Sequence, residues 1–471
     1  MKKSFNYILA IIFLCISLNA NLYGSIKLSA IFNDNMVLQQ TSECAIWGKA
    51  SKNTKVRITT SWNKKRYCTT SSADGSWKVK VSTPIAGGPY QISITDGTML
   101  TLKNILIGEV WVCSGQSNME MPMKGLVNQP VYNSHEAIAF SKNLHIRLFT
   151  VKKNTSLELL ESLDGKWNLC EPQNVADFSA VAYNFGLTLN KLLNVPIGLI
   201  NISWGGTRIE PWIGEMGFKN LDFVKVPAKS PIANLSAQTP TVIYNAMVNP
   251  MVGYQIKGAI WYQGESNTKS PSEYEKLLPA LIQNWRVNWG IGNFPFYYVQ
   301  IAPYDYKRPN ENSAFFREIQ LKLANTLPNI GMVSILDIGN KGAIHPPIKD
   351  VVGERLAFLA LDKTYCIKGI QGEGPVFETM TIVGSDAKLN FNNARMGLTS
   401  FGKGLRNFEI AGADKIFYPA DAFITSEGVK VFSSRVTSPV AVRYAFKDFV
   451  VGDLFGLNGL PVSSFRTDDW H

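Results

Sequence analysis

Between residues 105 and 363 the sequence alternates apolar runs of strand length with longer segments of helical periodicity, and no other feature restricts the fold as much. The strand-length runs are 107–113, 197–203, 258–262, 296–301 and 332–337. The helical segments are 179–193, 272–289, 313–327 and 348–363. Runs that are apolar at most positions, rather than only at alternate ones, suit strands buried on both faces, and such strands need helices above and below them. The pattern therefore predicts an α/β fold with a mainly parallel sheet and helices on both faces. A ligand site in such a sheet forms beyond the carboxyl ends of its strands.

The flanks read differently. Short β-type runs at 44–47, 55–60, 77–81 and 90–94 are punctuated by Asp74-Gly75 and Gly87-Gly88, as in a small antiparallel sandwich. After residue 366 similar runs return at 381–383, 388–391, 429–432 and 441–444. The expected organisation is a secretory leader over 1–24, a β-sandwich-like domain over 25–105, the catalytic domain over 106–366 and a β-rich region over 367–471. Lys2 and Lys3, the apolar run 7–18 and a mixed stretch to Ser25 carry the leader pattern, with cleavage near Ala20 or Gly24. No later segment is long and apolar enough to cross a bilayer, so no stable membrane span is expected after cleavage, and the protein is expected to be secreted or periplasmic.

Charge and cysteines exclude other classes. The formal net charge is +11, two units of it from the leader lysines, and the remaining Lys and Arg are scattered. Nucleic-acid binding needs a clustered patch, so no nucleic-acid partner is expected. One of the six cysteines, Cys15, lies in the leader; the rest are odd in number and lack CxxC spacing, although Cys44 and Cys68 could pair within the first domain.

Three strand ends carry groups suited to acyl transfer. Run 107–113 leads into Ser114-Gly115-Gln116-Ser117-Asn118-Met119, where a serine on a tight turn can present its hydroxyl beside backbone N–H groups. Met119 replaces the second glycine of GxSxG, which disfavours an α/β-hydrolase elbow. The other two ends are Trp204-Gly205-Gly206-Thr207-Arg208 and Trp261-Tyr262-Gln263-Gly264-Glu265-Ser266-Asn267. A serine nucleophile needs a base near neutral pH, and histidine is scarce: His135, His145, His345 and His471. His345 alone lies between a predicted sheet strand and a predicted helix. No His/Cys group has metal-ligand spacing.

The segment Gly108-Glu109-Val110-Trp111-Val112-Cys113-Ser114-Gly115-Gln116-Ser117-Asn118-Met119 resembles the nucleophile block of the sialate O-acetylesterase family, whose members are SGNH (GDSL-like) carbohydrate esterases. The resemblance continues in family order through Asp34-Asn35-Met36-Val37-Leu38-Gln39-Gln40, Gly205-Gly206-Thr207 with Trp212, the Trp261 to Asn267 block, Ile344-His345-Pro346 with Lys349, and Gly459-Leu460-Pro461 through Phe465-Arg466-Thr467. It implies Ser117 as nucleophile and His345 as base. It also implies an oxyanion hole from the Ser117 N–H, Gly205 or Gly206, and a side chain, Gln263 or Asn267. Neither a metal nor an organic cofactor is implied.

The implied substrate is an O-acetylated sugar, O-acetylated sialic acids first. An acetylxylan esterase or other glycan deacetylase, and an inactive carbohydrate-binding homologue, are the alternatives. Oligomeric state is left open. Many SGNH enzymes carry an Asp two or three residues before the histidine, but Ala343 and Gly342 stand there. Glu265 and Asp337 are the remaining acids that could orient His345, and a dyad without one is the third option. Arg208 and Trp212 are candidates to bind the sugar, Arg208 by a bidentate contact to a sialate carboxylate. The alternative is a surface pair of Arg208 with Glu210 and a buried Trp212.

Overall fold

The computed structural model describes residues 26–229, 235–308 and 312–470, so the expected leader lies outside the described residues. One long strand, β1 (Met99–Gly115), organises the molecule. Its first half pairs antiparallel with Gly87–Thr95, in a sheet that continues through Lys55–Thr60 to Arg66–Thr70. A three-stranded sheet of Lys27–Leu28, Glu43–Lys49 and Ser76–Ser82 shares the core of Ile46, Val81, Ile58 and Ile94 with it. Residues 105 and 106 lie inside β1, so continuous β structure, with no linker, joins the N-terminal sheets to the mainly parallel sheet.

The second half of β1 is the centre of the mainly parallel sheet. The other strands are β2 (Asn143–Thr150), β3 (Trp167–Cys170), β4 (Ile197–Ser203), β5 (Gly258–Tyr262), β6 (Phe296–Val299) and β7 (Ile330–Val333), in the order β3-β2-β4-β1-β5-β6-β7. All neighbours are parallel except edge strand β3, which runs antiparallel to β2. Four helices cover both faces: α1 (Ala180–Leu193), α2 (Pro271–Trp289), α3 (Ala314–Leu323) and α4 (Lys349–Lys363). Successive strand residues point to opposite faces. Trp111, Cys113, Leu199 and Ile260 therefore pack with Val181, Leu189, Leu356 and Leu359 of α1 and α4. Val110, Val112, Ile200 and Trp261 pack with Leu277, Leu281, Trp285 and Phe316 of α2 and α3. This is the mainly parallel α/β architecture with helices on both faces that the alternation predicts.

Local chemistry sets the helix ends. Ser179 caps α1 by accepting the Ala182 N–H at 3.1 Å, an interaction worth about 1 kcal/mol. Gly290, at φ +66°, ends α2 in the left-handed region.

Four expectations change. Run 332–337 leaves the sheet after Val333, because Ile335 and Leu336 are apolar for other reasons: they enter two different cores. Helix 313–327 stops at Leu323. Strand β2, not among the predicted sheet strands, lies beside β4. Cys44 and Cys68 do not pair: the first is buried with its thiol on the Gln39 carbonyl, the second is exposed, and both are free.

The C-terminal region forms two four-stranded sheets, Val376–Val383/Asp386–Asn392/Gly428–Phe432/Asp421–Thr425 and Phe417–Pro419/Phe408–Ala411/Ala441–Tyr444/Phe465–Arg466, and a two-stranded one, Leu398–Thr399/Phe455–Gly456. It is fastened to the α/β layer by an Arg466–Glu318 ion pair at 3.1 Å and a Gln300–Ser463 hydrogen bond at 2.7 Å. No helix among the described residues is long and apolar enough to cross a membrane.

Candidate active site

The nucleophile turn arises from a steric constraint at the end of β1. A Cβ on Gly115, at φ +141°, would lie 2.1 Å from the Tyr262 carbonyl oxygen of β5, so only glycine fits where these strands converge. Gln116 then donates its N–H to the same carbonyl at 3.0 Å, and a single helical turn, Ser117–Glu120, begins at once. Ser117 is half-buried at the head of that turn, where its N–H has no intrahelical acceptor. The Ser179 hydroxyl donates to the Met119 carbonyl at 2.6 Å and holds the turn against α1.

Across the carboxyl ends of the strands, the loop before α4 brings His345 to this serine. His345 Nε2 lies 2.7 Å from Ser117 Oγ. The other ring nitrogen, Nδ1, meets Gln129 Oε1, a neutral amide oxygen. Burial, then the cation of Lys349, lower the His345 pKa to about 4 against a partial opposing effect of Glu120.

Neither acid considered from the sequence touches His345. Glu265 is buried, and its Oε1 accepts from Asn118 Nδ2 at 2.5 Å. That amide also donates to the Ile344 carbonyl at 3.1 Å, while Asn118 Oδ1 accepts from Lys349 Nζ. The result is a buried Glu265–Asn118–Lys349 chain that ties the nucleophile turn to the histidine loop. Burial raises the Glu265 pKa, and burial lowers that of Lys349 to about 7. Asp337 forms two 2.7 Å hydrogen bonds with Arg355.

The other oxyanion candidates come from the loops after β4 and β5. Gly205 is beside the nucleophile, since a Cβ on it would lie 3.3 Å from Ser117 Cβ. Its N–H donates to Glu120 Oε2, whose other oxygen pairs with Lys153 at 2.5 Å. Gly206, at φ +76°, accepts through its carbonyl from Gln238 and Ser266. Gln263 Nε2 donates to Asn267 Oδ1 at 2.8 Å and to the Thr207 carbonyl, and Asn267 Nδ2 donates to Glu210. Both amides are thus engaged in bracing the glycine loop. Arg208 pairs with Glu210 at 2.6 Å and with Glu273 at 3.7 Å. Trp212 is fully buried, its indole N–H on Thr207 Oγ1 at 3.0 Å. Among the described residues no group of three or more His, Cys, Asp or Glu is placed to hold a metal ion.

The structure adds Gln129, Asn118, Glu120, Lys153 and Lys349 to the neighbourhood of the serine. Asn118 and Lys349 fall within the family blocks, which was the available signal for them. Gln129 lies in an irregular loop and carries no pattern.

Comparison with known proteins places the chain among relatives. Residues 107–358 match the family model described as carbohydrate esterase, sialic acid-specific acetylesterase. The chain is similar to the sialate O-acetylesterase of Homo sapiens, 29% identical over 404 residues that cover 77% of this chain and 76% of the relative. It is also similar to that of Mus musculus, 28% identical over 489 residues and 89% of each chain. Its structure resembles that of a carbohydrate acetylesterase from Xanthomonas citri with a TM-score of 0.85 and 34% identity, over 94% of this chain and 100% of the other.

Proposed function

Because the chain belongs to the carbohydrate esterase family of sialic acid-specific acetylesterases, and so is a carboxylic ester hydrolase, we propose that it is exported and removes O-acetyl groups from sugars through Ser117 and His345. The observation that carries the reading is the 2.7 Å contact between Ser117 Oγ and His345 Nε2 at the carboxyl ends of the parallel strands. Ser117 attacks the acetyl carbonyl as His345 takes its proton. The Ser117 N–H receives the developing oxyanion, joined by the Gly205 N–H when the carbonyl oxygen replaces Glu120 on it. His345 then protonates the departing sugar oxygen, leaving an acetyl-enzyme. A water deprotonated by His345 releases acetate. Export is supported by Lys2, Lys3 and the apolar run 7–18.

O-acetylated sialic acids are the first substrates to test, on the strength of the family and the human and mouse relatives. A second reading, deacetylation of xylan or another glycan, is favoured by Arg208, which Glu210 and Glu273 already hold. The paired serine and histidine speak against an inactive binding protein. Ser117→Ala is expected to lower acetate release on the order of 10³-fold or more with an unchanged circular dichroism spectrum. Substantial activity in folded Ser117→Ala would overturn the proposal, and a panel of O-acetylated sialic acids and acetylated xylan decides the sugar.

A further inference from the structure

We infer that Gln129 is the positioning residue for His345, a neutral amide standing where related serine–histidine enzymes place a carboxylate. The inference rests on the reading of Ser117 and His345 as nucleophile and base. A neutral imidazole carries one proton. With Gln129 Oε1 at Nδ1, that proton lies on Nδ1 and the Nε2 lone pair faces the Ser117 hydroxyl. With the amide reversed, its N–H would need the Nδ1 lone pair, the proton would move to Nε2, and the ring could no longer accept from Ser117.

The loop is built to hold this amide in place. Leu126 and Gln129 exchange both backbone hydrogen bonds at 2.9 Å, closing a tight turn. Gly125 enters that turn at φ +79°, where a Cβ would lie 2.7 Å from the Gln129 carbonyl oxygen. Tyr132 N–H donates to the Pro347 carbonyl at 2.9 Å, which ties the Gln129 loop to the histidine loop. The nearby carboxylates have other partners: Glu265 has Asn118, Asp337 has Arg355, and Glu120 has Lys153 and the Gly205 N–H.

The consequence is chemical. An amide oxygen fixes the tautomer without an adjacent negative charge, so Nδ1 has no carboxylate to favour the imidazolium. The charged groups that bear on the ring are Lys349 from α4, which opposes protonation, and Glu120 from the nucleophile turn, which favours it. His345 therefore stays unprotonated, and able to act as base, into mildly acidic solution. Once protonated in the reaction, it is a strong acid toward the sugar oxygen, a poor leaving group that must gain a proton to depart.

The test compares Gln129→Leu and Gln129→Glu in the full-length protein. The pH dependence of kcat/KM on an acetyl ester, and the rate of Ser117 phosphonylation by an organophosphonate, are followed with circular dichroism as the folding control. Gln129→Leu is expected to lose roughly 10- to 10³-fold in kcat, with KM little changed, because the tautomer is no longer fixed. Gln129→Glu is expected to recover much of that loss and to move the acid limb of the profile up by about 1 to 2 pH units, as an adjacent opposite charge does. Wild-type kcat in Gln129→Leu overturns the inference, and so does an unmoved acid limb in Gln129→Glu. If Ser117→Ala is inactive while both Gln129 variants behave as wild type, this inference alone fails. Activity in Ser117→Ala removes the reading beneath it.

Discussion

Replacing Asp337 by Asn separates two roles that its carboxylate could have, orienting His345 or holding the fold. Its two oxygens meet Arg355 at 2.7 Å each, and the side chains are only 15% and 8% exposed. Arg355 also donates to the Ser334 carbonyl at 3.0 Å, so the pair pins the segment after β7 to α4. Removing one partner of a buried pair leaves the other charge without compensation, at a cost of about 3 to 5 kcal/mol. Asn retains one acceptor oxygen, so the lower end, about 3 kcal/mol, is expected for Asp337→Asn. That is more than a hundredfold in the folded-to-unfolded ratio, since about 1.4 kcal/mol is tenfold. Urea unfolding followed by tryptophan fluorescence should show a lowered midpoint. Turnover per active site, counted by phosphonate titration, should stay within about twofold of wild type, as the carboxylate has no contact with His345 to lose. A fall in turnover on the order of 10²-fold at unchanged stability would refute the reasoning and place Asp337 on the histidine in the working enzyme.

Two further substitutions probe the frame of the site. Gly115→Ala would put a Cβ 2.1 Å from the Tyr262 carbonyl at a positive φ, so β1 and β5 must part where they support Ser117; a loss of about 3 kcal/mol or more, with activity falling alongside, is expected in thermal melts and assays, and a fully active, equally stable variant would contradict the close approach. Lys349 has its pKa lowered from 10.5 to about 7, so between those values the folded protein holds fewer protons than the unfolded chain and this residue makes stability rise with pH. Lys349→Met should flatten that rise when urea midpoints are compared at about pH 7 and pH 10, and an unchanged slope would show that Lys349 is not buried as described.

The sequence made the sheet legible where burial alone dictated residue type. Strands β4 and β5 coincide with runs 197–203 and 258–262 because both of their faces meet helices, so every position is buried and most are apolar. The same rule failed at 332–337, where Ile335 and Leu336 owe their character to cores outside the sheet. It also missed β2, whose run is broken by exposed Leu144 and His145 and by Arg147, a buried guanidinium that donates to the Leu144 and Ile146 carbonyls. At the site, Ser117 stood out by its place after a buried strand, and His345 by the scarcity of histidine. Their partners did not, for a physical reason. A carboxylate can be read in a sequence as a charge, but whether it reaches a given ring depends on what else competes for its oxygens. Asn118 stands between Glu265 and the histidine loop, and Arg355 takes both oxygens of Asp337. An amide such as Gln129 has no charge to draw attention, and its role exists only because a turn closed by Leu126 and tied down through Tyr132 carries it to Nδ1. The absence of an acid before His345 therefore marks a change in how the ring is held, from attraction by a charge to placement by a loop. Such a site should be more sensitive to changes in that loop than to salt, because screening weakens a charge–charge attraction far more than a hydrogen bond to a neutral group.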